Sequence, residues 1–173
     1  MTKKYILDVT CGSKSIWFNK NHPNVIYCDK RQEEYEGDFG NAVKKDGTKK
    51  HRKLVIKPDI LCDFTNLPFE ENTFALVVLD PPHIEALKDN SWMKKAYGSL
   101  DANWKTMLHE GFAECMRVLK PKGILVFKWS EVRISTPEVI KAIGQQPLFG
   151  HKSGKKMNTN WLCFMKLTEE DQE

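Results

Sequence analysis

Short apolar segments recur along the chain at Tyr5 to Val9, Val25 to Cys28, Ile60 to Cys62, Phe74 to Leu79 and Ile124 to Trp129, most of them unbroken rather than alternating. A strand with one wet face alternates apolar and polar residues. An unbroken run belongs to a strand buried on both faces, as in a parallel sheet covered by helices. Between the last two runs, Trp104, Met107, Leu108, Phe112, Cys115, Val118 and Leu119 recur at three- and four-residue steps. This spacing predicts a helix over Asn103 to Lys120, stopped by the Pro and Gly of "KPKG". "STPEVIKAIG" predicts a second helix, with Ser135 or Thr136 as cap, Pro137 in the first turn and Gly144 as terminator. "NWLCFMK", Asn160 to Lys166, reads as a last strand. Strands alternating with helices through right-handed crossovers predict a doubly wound α/β sheet.

One domain with a packed core fits in 173 residues, and two of ordinary size do not. The expected domain spans 1–166, followed by an acidic tail at 167–173 read as frayed. No apolar run approaches the roughly 18 residues of a membrane span. "MTKKYILDVT" reaches Asp8 after three apolar residues, without the apolar stretch of a signal peptide. The five cysteines are scattered, with no CxxC or Cys/His cluster. The expectation is therefore a cytoplasmic, reducing location, no membrane, no structural zinc and no disulfide framework. The net charge of +4 permits a polyanionic partner without requiring one. Much of the basic charge falls in Asp38 to Pro58, "DFGNAVKKDGTKKHRKLVIKP", which reads as a long basic loop or short hairpin around a DG turn.

In a doubly wound sheet, ligands bind beyond the carboxyl ends of the strands, so the strand ends are where chemistry is expected. The first strand ends in "ILDVTCGSKS": Asp8 is followed by Thr10, Cys11, Gly12 and Ser13, small residues whose turn lets backbone amides approach a ligand. Taken alone, this turn is as well explained by structure as by a ligand. The second strand ends in Asp29, 21 residues after Asp8. That separation is close to the roughly 20 residues at which an acidic side chain reaches ribose hydroxyls in nucleotide-binding folds. The third ends at Asp63, suited to accept from an adenine amine while the Phe64 backbone meets a ring nitrogen. No G-x-G-x-x-G is present, which sets a nicotinamide dinucleotide aside.

The succession of "LDVTCGS", "YCD", "CDFTNLPFEENTF" and "LDPPH" resembles the class I S-adenosylmethionine-dependent methyltransferases over most of the chain. The resemblance implies a Rossmann-like, mostly parallel seven-stranded sheet with helices on both faces and an antiparallel final strand. It implies S-adenosylmethionine as cofactor, held by Asp8, Thr10, Cys11, Gly12, Ser13, Asp29, Asp63 and Phe64. The first turn is nearest to the Asp-Pro-Phe-x-Gly-Ser-Gly loop of methyltransferases that modify exocyclic amino groups, with Val9, Thr10 and Lys14 as departures. In that family an Asp/Asn-Pro-Pro-aromatic segment at the fourth strand end holds a planar amine. Asp80 is then the main acceptor, the Pro81 carbonyl the second acceptor, Pro82 the residue that stiffens the turn, and His83 the stacking group in place of Phe, Tyr or Trp. Two prolines fix φ and remove two amide donors, leaving a rigid segment rich in acceptors.

Further candidates are substrate-binding. Trp92 and Tyr97 flank Lys94 and Lys95, as a lid that stacks a base and meets phosphate or as a helix whose Trp packs on the sheet and whose lysines face solvent. Lys128 is unusual in an apolar strand and stands beside Trp129 at the fifth strand end. "HKSGKK", His151 to Lys156, is a basic patch or a soluble hairpin. The expected function is methyl transfer to an exocyclic amino nitrogen of a nucleobase in DNA or RNA, with nucleic acid as partner and a recognition protein as a further candidate partner. Alternatives are a protein glutamine, a small-molecule amine, or a catalytically silent subunit of a complex.

Overall fold

A computed structural model of the protein describes residues 4–43, 45–89, 91–153 and 158–171, with nothing stated of the side chains of residues 39–42 and 169. The strands are β1 (Ile6–Asp8), β2 (Val25–Asp29), β3 (Glu33–Val43), β4 (Lys49–Ile56), β5 (Ile60–Leu61), β6 (Phe74–Leu79), β7 (Leu119–Ser130), β8 (Phe149–Ser153) and β9 (Thr159–Met165). The helices are α1 (Trp92–Tyr97), α2 (Trp104–Val118) and α3 (Thr136–Ile143). Seven strands form one sheet in the order β5-β2-β1-β6-β7-β9-β8, and β3 and β4 form a separate pair. The pairs β5/β2, β2/β1, β1/β6 and β6/β7 are parallel. β9 runs antiparallel to β7 and to β8.

The unbroken apolar runs form the centre of this sheet, as two-sided burial requires. Leu7, Cys28, Phe74, Val77, Leu125, Phe127 and Trp129 are completely buried in one core with Leu108, Cys115 and Val118 of α2 and Val139 of α3. Both predicted helices form with small changes of boundary. In α3, the Glu138 carboxylate accepts from the Ser135 backbone amide at 3.0 Å and its hydroxyl at 2.7 Å, and Gly144 ends the helix at φ 79°. The helix predicted to reach Lys120 ends at Val118. Leu119 already pairs with Phe74, and the register jumps to Leu76 with Ile124, so Lys120 to Gly123 bulge out of the strand. Pro121 cannot donate to a ladder, and the bulge relieves it of that role.

The Asp38 to Pro58 segment is a hairpin, and it begins five residues earlier than its basic stretch suggests. Glu33, Tyr35 and Gly37 pair with Ile56, Leu54 and Arg52. Lys53 meets Glu34 at 2.8 Å and Glu36 at 3.3 Å, while His51 meets Glu36 at 3.3 Å and Asp38 at 3.2 Å. These cross-strand charge pairs belong to β3 residues that lie partly upstream of the basic stretch, so the basic stretch alone does not show the pairing. Lys44 lies outside the described residues. The tail read as frayed is anchored in part: the Asp171 carboxylate accepts from the Thr168 amide at 3.0 Å and pairs with Lys122 at 3.1 Å, and 172–173 lie outside the described residues. In "HKSGKK", His151 to Ser153 belong to β8, and residues 154–156 lie outside the described residues. No helix among the described residues is long and apolar enough to cross a membrane.

Candidate active site

The carboxyl ends of β1, β2 and β6 open onto one cleft enclosing about 730 Å³. Thr10, Cys11, Gly12 and Ser13 line one wall, Asp29 and Phe64 another, and Asp80, Pro81, Pro82 and His83 a third, with Tyr97 of α1 above.

The turn after β1 is fixed from below. Asp8 is buried, and its carboxylate accepts from the Thr10 amide at 3.1 Å and from the Trp17 indole N–H at 2.6 Å. Burial pushes its pKa up to about 7, against the lowering effect of those two donors, with Asp80 and Asp29 adding to the rise. Asp8 does not line the cleft; its two oxygens tie the turn to Thr10 and Trp17. Gly12 adopts φ 49°, and a Cβ there would come no nearer than 3.9 Å to Ala96 O, so the glycine serves a left-handed backbone in open space. Lys14, where the resembling loop has its last glycine, adopts φ 56°. Its ammonium sits 3.9 Å from the Tyr27 ring centroid, a contact that offsets the left-handed cost. The substitution thus leaves the turn's left-handed path available.

Asp29 lies within the cleft wall. Its Oδ2 accepts from the Gly12 amide at 2.9 Å and its Oδ1 from the Arg31 amide at 2.9 Å and Nε at 3.2 Å. Arg31 also donates to Lys95 O at 2.9 Å, which ties α1 to the end of β2. Asp63 stands off the cleft, its side chain 43% exposed, capping its own turn through Thr65 at 3.0 Å and 2.9 Å and facing Lys30 at 3.8 Å. The next residue, Phe64, is buried and does line the cleft. Its segment is held to α2 by Arg117, which donates to Leu67 O at 3.0 Å and Phe69 O at 2.8 Å.

Asp80 begins the acceptor turn. Its backbone amide donates to Thr10 Oγ1 at 2.8 Å, joining this turn to the one after β1. Its Oδ2 accepts from Lys128 Nζ at 2.6 Å, with both side chains about one fifth exposed. Pro81 and Pro82 contribute no amide donor, so the turn presents acceptors. His83 is half-buried between Tyr97 and Trp129, with ring centroids 6.3 Å from each. Desolvation holds its pKa below the ordinary imidazole value, with Asp80 opposing and Lys128 reinforcing the shift.

Two aromatic expectations change place. Trp129 is fully buried, stacked near Phe127 with centroids 6.2 Å apart, and donates its indole N–H to Ile134 O at 3.0 Å. It supports His83 from within the core and cannot meet a substrate. Its neighbour on the strand points to the other face, which is why only Lys128 of the pair reaches the site. Trp92 lies off the main cleft, over Leu54 and Ile56 of the hairpin, with the Arg52 guanidinium 5.0 Å from its ring centroid. With Ser13, Lys20, Lys53, Leu54, Val55, Ala96 and Tyr97 it lines an adjoining groove of about 710 Å³. Sequence reasoning missed Val9, Ser15, Lys30, Arg31, Ala96, Gly98 and Ser99 as lining residues. Arg31 follows Asp29 by two positions, a spacing that could have raised it, whereas Ala96 of α1 and the two residues after the helix, Gly98 and Ser99, carry no local signal.

S-adenosylmethionine fits this cleft on the residues that line it: an unobstructed left-handed glycine, buried Asp29 at the end of the second strand, and the apolar ring of Phe64. Among the described residues no group of three or more His, Cys, Asp or Glu is placed to hold a metal ion.

No family model matches the chain, and no curated protein does. Solved structures do. The protein PH0226 of Pyrococcus horikoshii OT3 superposes with a TM-score of 0.55 at 15% identity, covering 93% of this chain and 81% of that one. A 16S rRNA (adenine(1408)-N(1))-methyltransferase W203A mutant with cosubstrate SAM, from Catenulisporales acidiphilia, superposes with a TM-score of 0.51 at 11% identity, covering 96% and 86%. At such identities the likeness is one of architecture: the chain has the Rossmann-like methyltransferase fold, a seven-stranded mixed sheet whose last strands run antiparallel to the rest.

Proposed function

We propose that residues 1–166 act as one S-adenosylmethionine-dependent methyltransferase domain that modifies an exocyclic amino nitrogen of a nucleobase in DNA or RNA. The observation that carries this reading is the shared cleft: the glycine turn with Asp29 and the Asp80 to His83 turn line one space and are bonded to each other through Thr10. Thr10 to Ser13, Asp29 and Phe64 would hold the cofactor. Bound there, S-adenosylmethionine would supply an electrophilic methyl, its sulfur keeping the electron pair of the broken S–C bond and the amine's extra proton going to solvent.

The chain's own work is positional. Asp80 and the Pro81 carbonyl accept the two hydrogens of a planar amine, which turns its lone pair out of conjugation. His83, neutral near pH 7 because burial disfavours its charged form, stacks on the ring. Rigid acceptors placed in advance contribute through orientation and electrostatics rather than through a covalent intermediate. Nucleic acid as substrate is supported by the exposed Lys45, Lys49 and Lys50 of the hairpin, by the groove between Trp92 and Lys53, and by the rRNA substrate of the Catenulisporales enzyme of like fold.

The test is transfer of labelled methyl to separate pools of single-stranded DNA, duplex DNA, RNA and protein. Label in a nucleic-acid pool, reduced at least a thousandfold in Asp80→Ala, is the expected result, on the roughly 10²–10³ typical for one electrostatic contact plus lost alignment. Label confined to protein, or unaffected by Asp80→Ala, would remove the nucleobase reading.

A further inference from the structure

The space that opens at the strand ends continues past α1. Ser13, Ala96 and Tyr97 line both the cleft and the groove bounded by α1, β4 and the segment after β1. Tyr97 is a wall common to the two. Its ring centroid lies 6.3 Å from that of His83 on the cleft side, and the residue is 46% exposed. Lys20, also exposed, lines the groove as well.

The hairpin beside this groove divides its charge by face. On one face the basic side chains meet carboxylates, Lys53 with Glu34 and Glu36 and His51 with Glu36 and Asp38. Strand alternation sends Lys50, Arg52, Leu54 and Ile56 to the other face, where Leu54 and Ile56 pack on Ala96 of α1. Opposite Arg52 stands Gly37, and the carboxylate of that face, Glu33, is occupied by the Tyr35 hydroxyl at 2.6 Å. The Arg52 guanidinium rests 5.0 Å from the Trp92 ring centroid, and its buried Nε has no acceptor. Among the described residues no carboxylate pairs with Lys20, Lys50 or Arg52. The groove therefore joins an exposed aromatic ring to cations that the chain leaves without a counter-charge.

We infer that this groove takes the nucleotide adjoining the target on a single strand of nucleic acid, its base stacked on Tyr97 and its backbone running toward Lys20, Arg52 and Lys50. A ring set between cleft and groove reaches a base face only where the strand is open, because a duplex keeps base faces against their neighbours. An extended polypeptide has no use for unmatched cations, whereas a phosphate backbone supplies their counter-charge. The inference rests on the methyl-transfer reading and deepens it, naming the form of nucleic acid and a second nucleotide site.

The experiment uses oligothymidylate and oligouridylate strands with a single adenine, cytosine or guanine, since thymine and uracil bear no exocyclic amine, and reads kcat/KM for methyl transfer by the full chain. An abasic sugar in place of the 5′ or the 3′ neighbour removes one base and keeps the phosphate. It is expected to lower kcat/KM about ten- to hundredfold on one side of the target and little on the other, the usual effect of losing one base–aromatic stack. Tyr97→Ala is expected to lose a similar factor on the intact strand and nothing further on the abasic one, and Tyr97→Phe, which keeps a ring, to recover most of the discrimination. Lys20→Ala and Lys50→Ala should each reduce the slope of log Kd against log salt by about 0.7 for a fluorescent strand followed by anisotropy. Annealing the complementary strand should cut turnover at least about tenfold. Equal turnover of intact and abasic strands, or of single strand and duplex, overturns the inference and leaves methyl transfer standing. Absence of transfer to every strand, with label entering only protein or nothing, overturns the nucleobase reading and this one together. Because the abasic change is made in the substrate, the comparison stands even if a Tyr97 variant fails to fold.

Discussion

Thr10 carries one hydrogen bond that binds two halves of the site: its hydroxyl oxygen accepts from the Asp80 amide at 2.8 Å. Thr10→Val keeps the shape and leaves that amide without its acceptor, a change expected to disturb the Asp80 turn while sparing Gly12 and Asp29. Single-turnover rates at saturating cofactor should fall about tenfold. Phe64 depends on a residue in another element. A Cβ at Gly111 would lie 2.0 Å from Phe64 Cε2, so the helix can carry only glycine where that ring passes. Gly111→Ala should displace the ring, lower stability by about 1–3 kcal/mol as overpacking does, and weaken cofactor binding. Unchanged affinity in a folded Gly111→Ala protein would remove Phe64 from the cofactor wall.

At the scale of elements, the β3/β4 hairpin and α1 form a unit beside the sheet rather than part of it. Leu54 and Ile56 cover Ala96, with Tyr35 and Trp92 packed around them, and the Lys95 ammonium lies 3.9 Å from the Tyr35 ring centroid. A helix of six residues cannot hold itself in water, so the hairpin keeps α1 in place over the cleft. Ile56 is 1% exposed, and Ile56→Ala should remove about 2–5 kcal/mol of packing from this unit. Amide hydrogen exchange should quicken across β3, β4 and α1, with β6 and β7 protected as before, and cofactor affinity should drop. Quickening in all strands alike would show that the hairpin and sheet unfold as one.

The whole molecule should register the buried carboxyl of Asp8 in its pH dependence. Its pKa is raised from the ordinary 3.8 to about 7, so the folded chain holds a proton that the unfolded chain releases. The associated stability is complete below 3.8 and is lost as pH rises through about 7, at up to about 1.4 kcal/mol per pH unit. In denaturant titrations between pH 4 and pH 7.5, wild-type stability should fall relative to Asp8→Asn, which cannot ionise. A difference that stays flat over this range would place Asp8 ionised in the fold.

The chain's residues alone carried the sheet and its helices, because unbroken apolar runs and three- and four-residue periodicity are local properties that burial enforces wherever they fold. Periodicity placed α2, and the cap, proline and glycine of Ser135, Pro137 and Gly144 placed α3 and marked its ends. The strand ends at Asp29 and Asp80 were legible for the same reason, since a carboxylate closing an apolar run marks a mouth of the sheet. Tertiary structure decided what each end faces. Asp8 and Asp29 look alike in sequence, yet Asp8 is consumed by Trp17 and Thr10 while Asp29 stays in the cleft wall. Lys128 and Trp129 are adjacent, and strand alternation sends one to Asp80 and the other into the core. The hairpin's place beside α1 and Gly111's service to Phe64 join residues more than thirty positions apart, and no local pattern encodes a contact whose partner is chosen by packing.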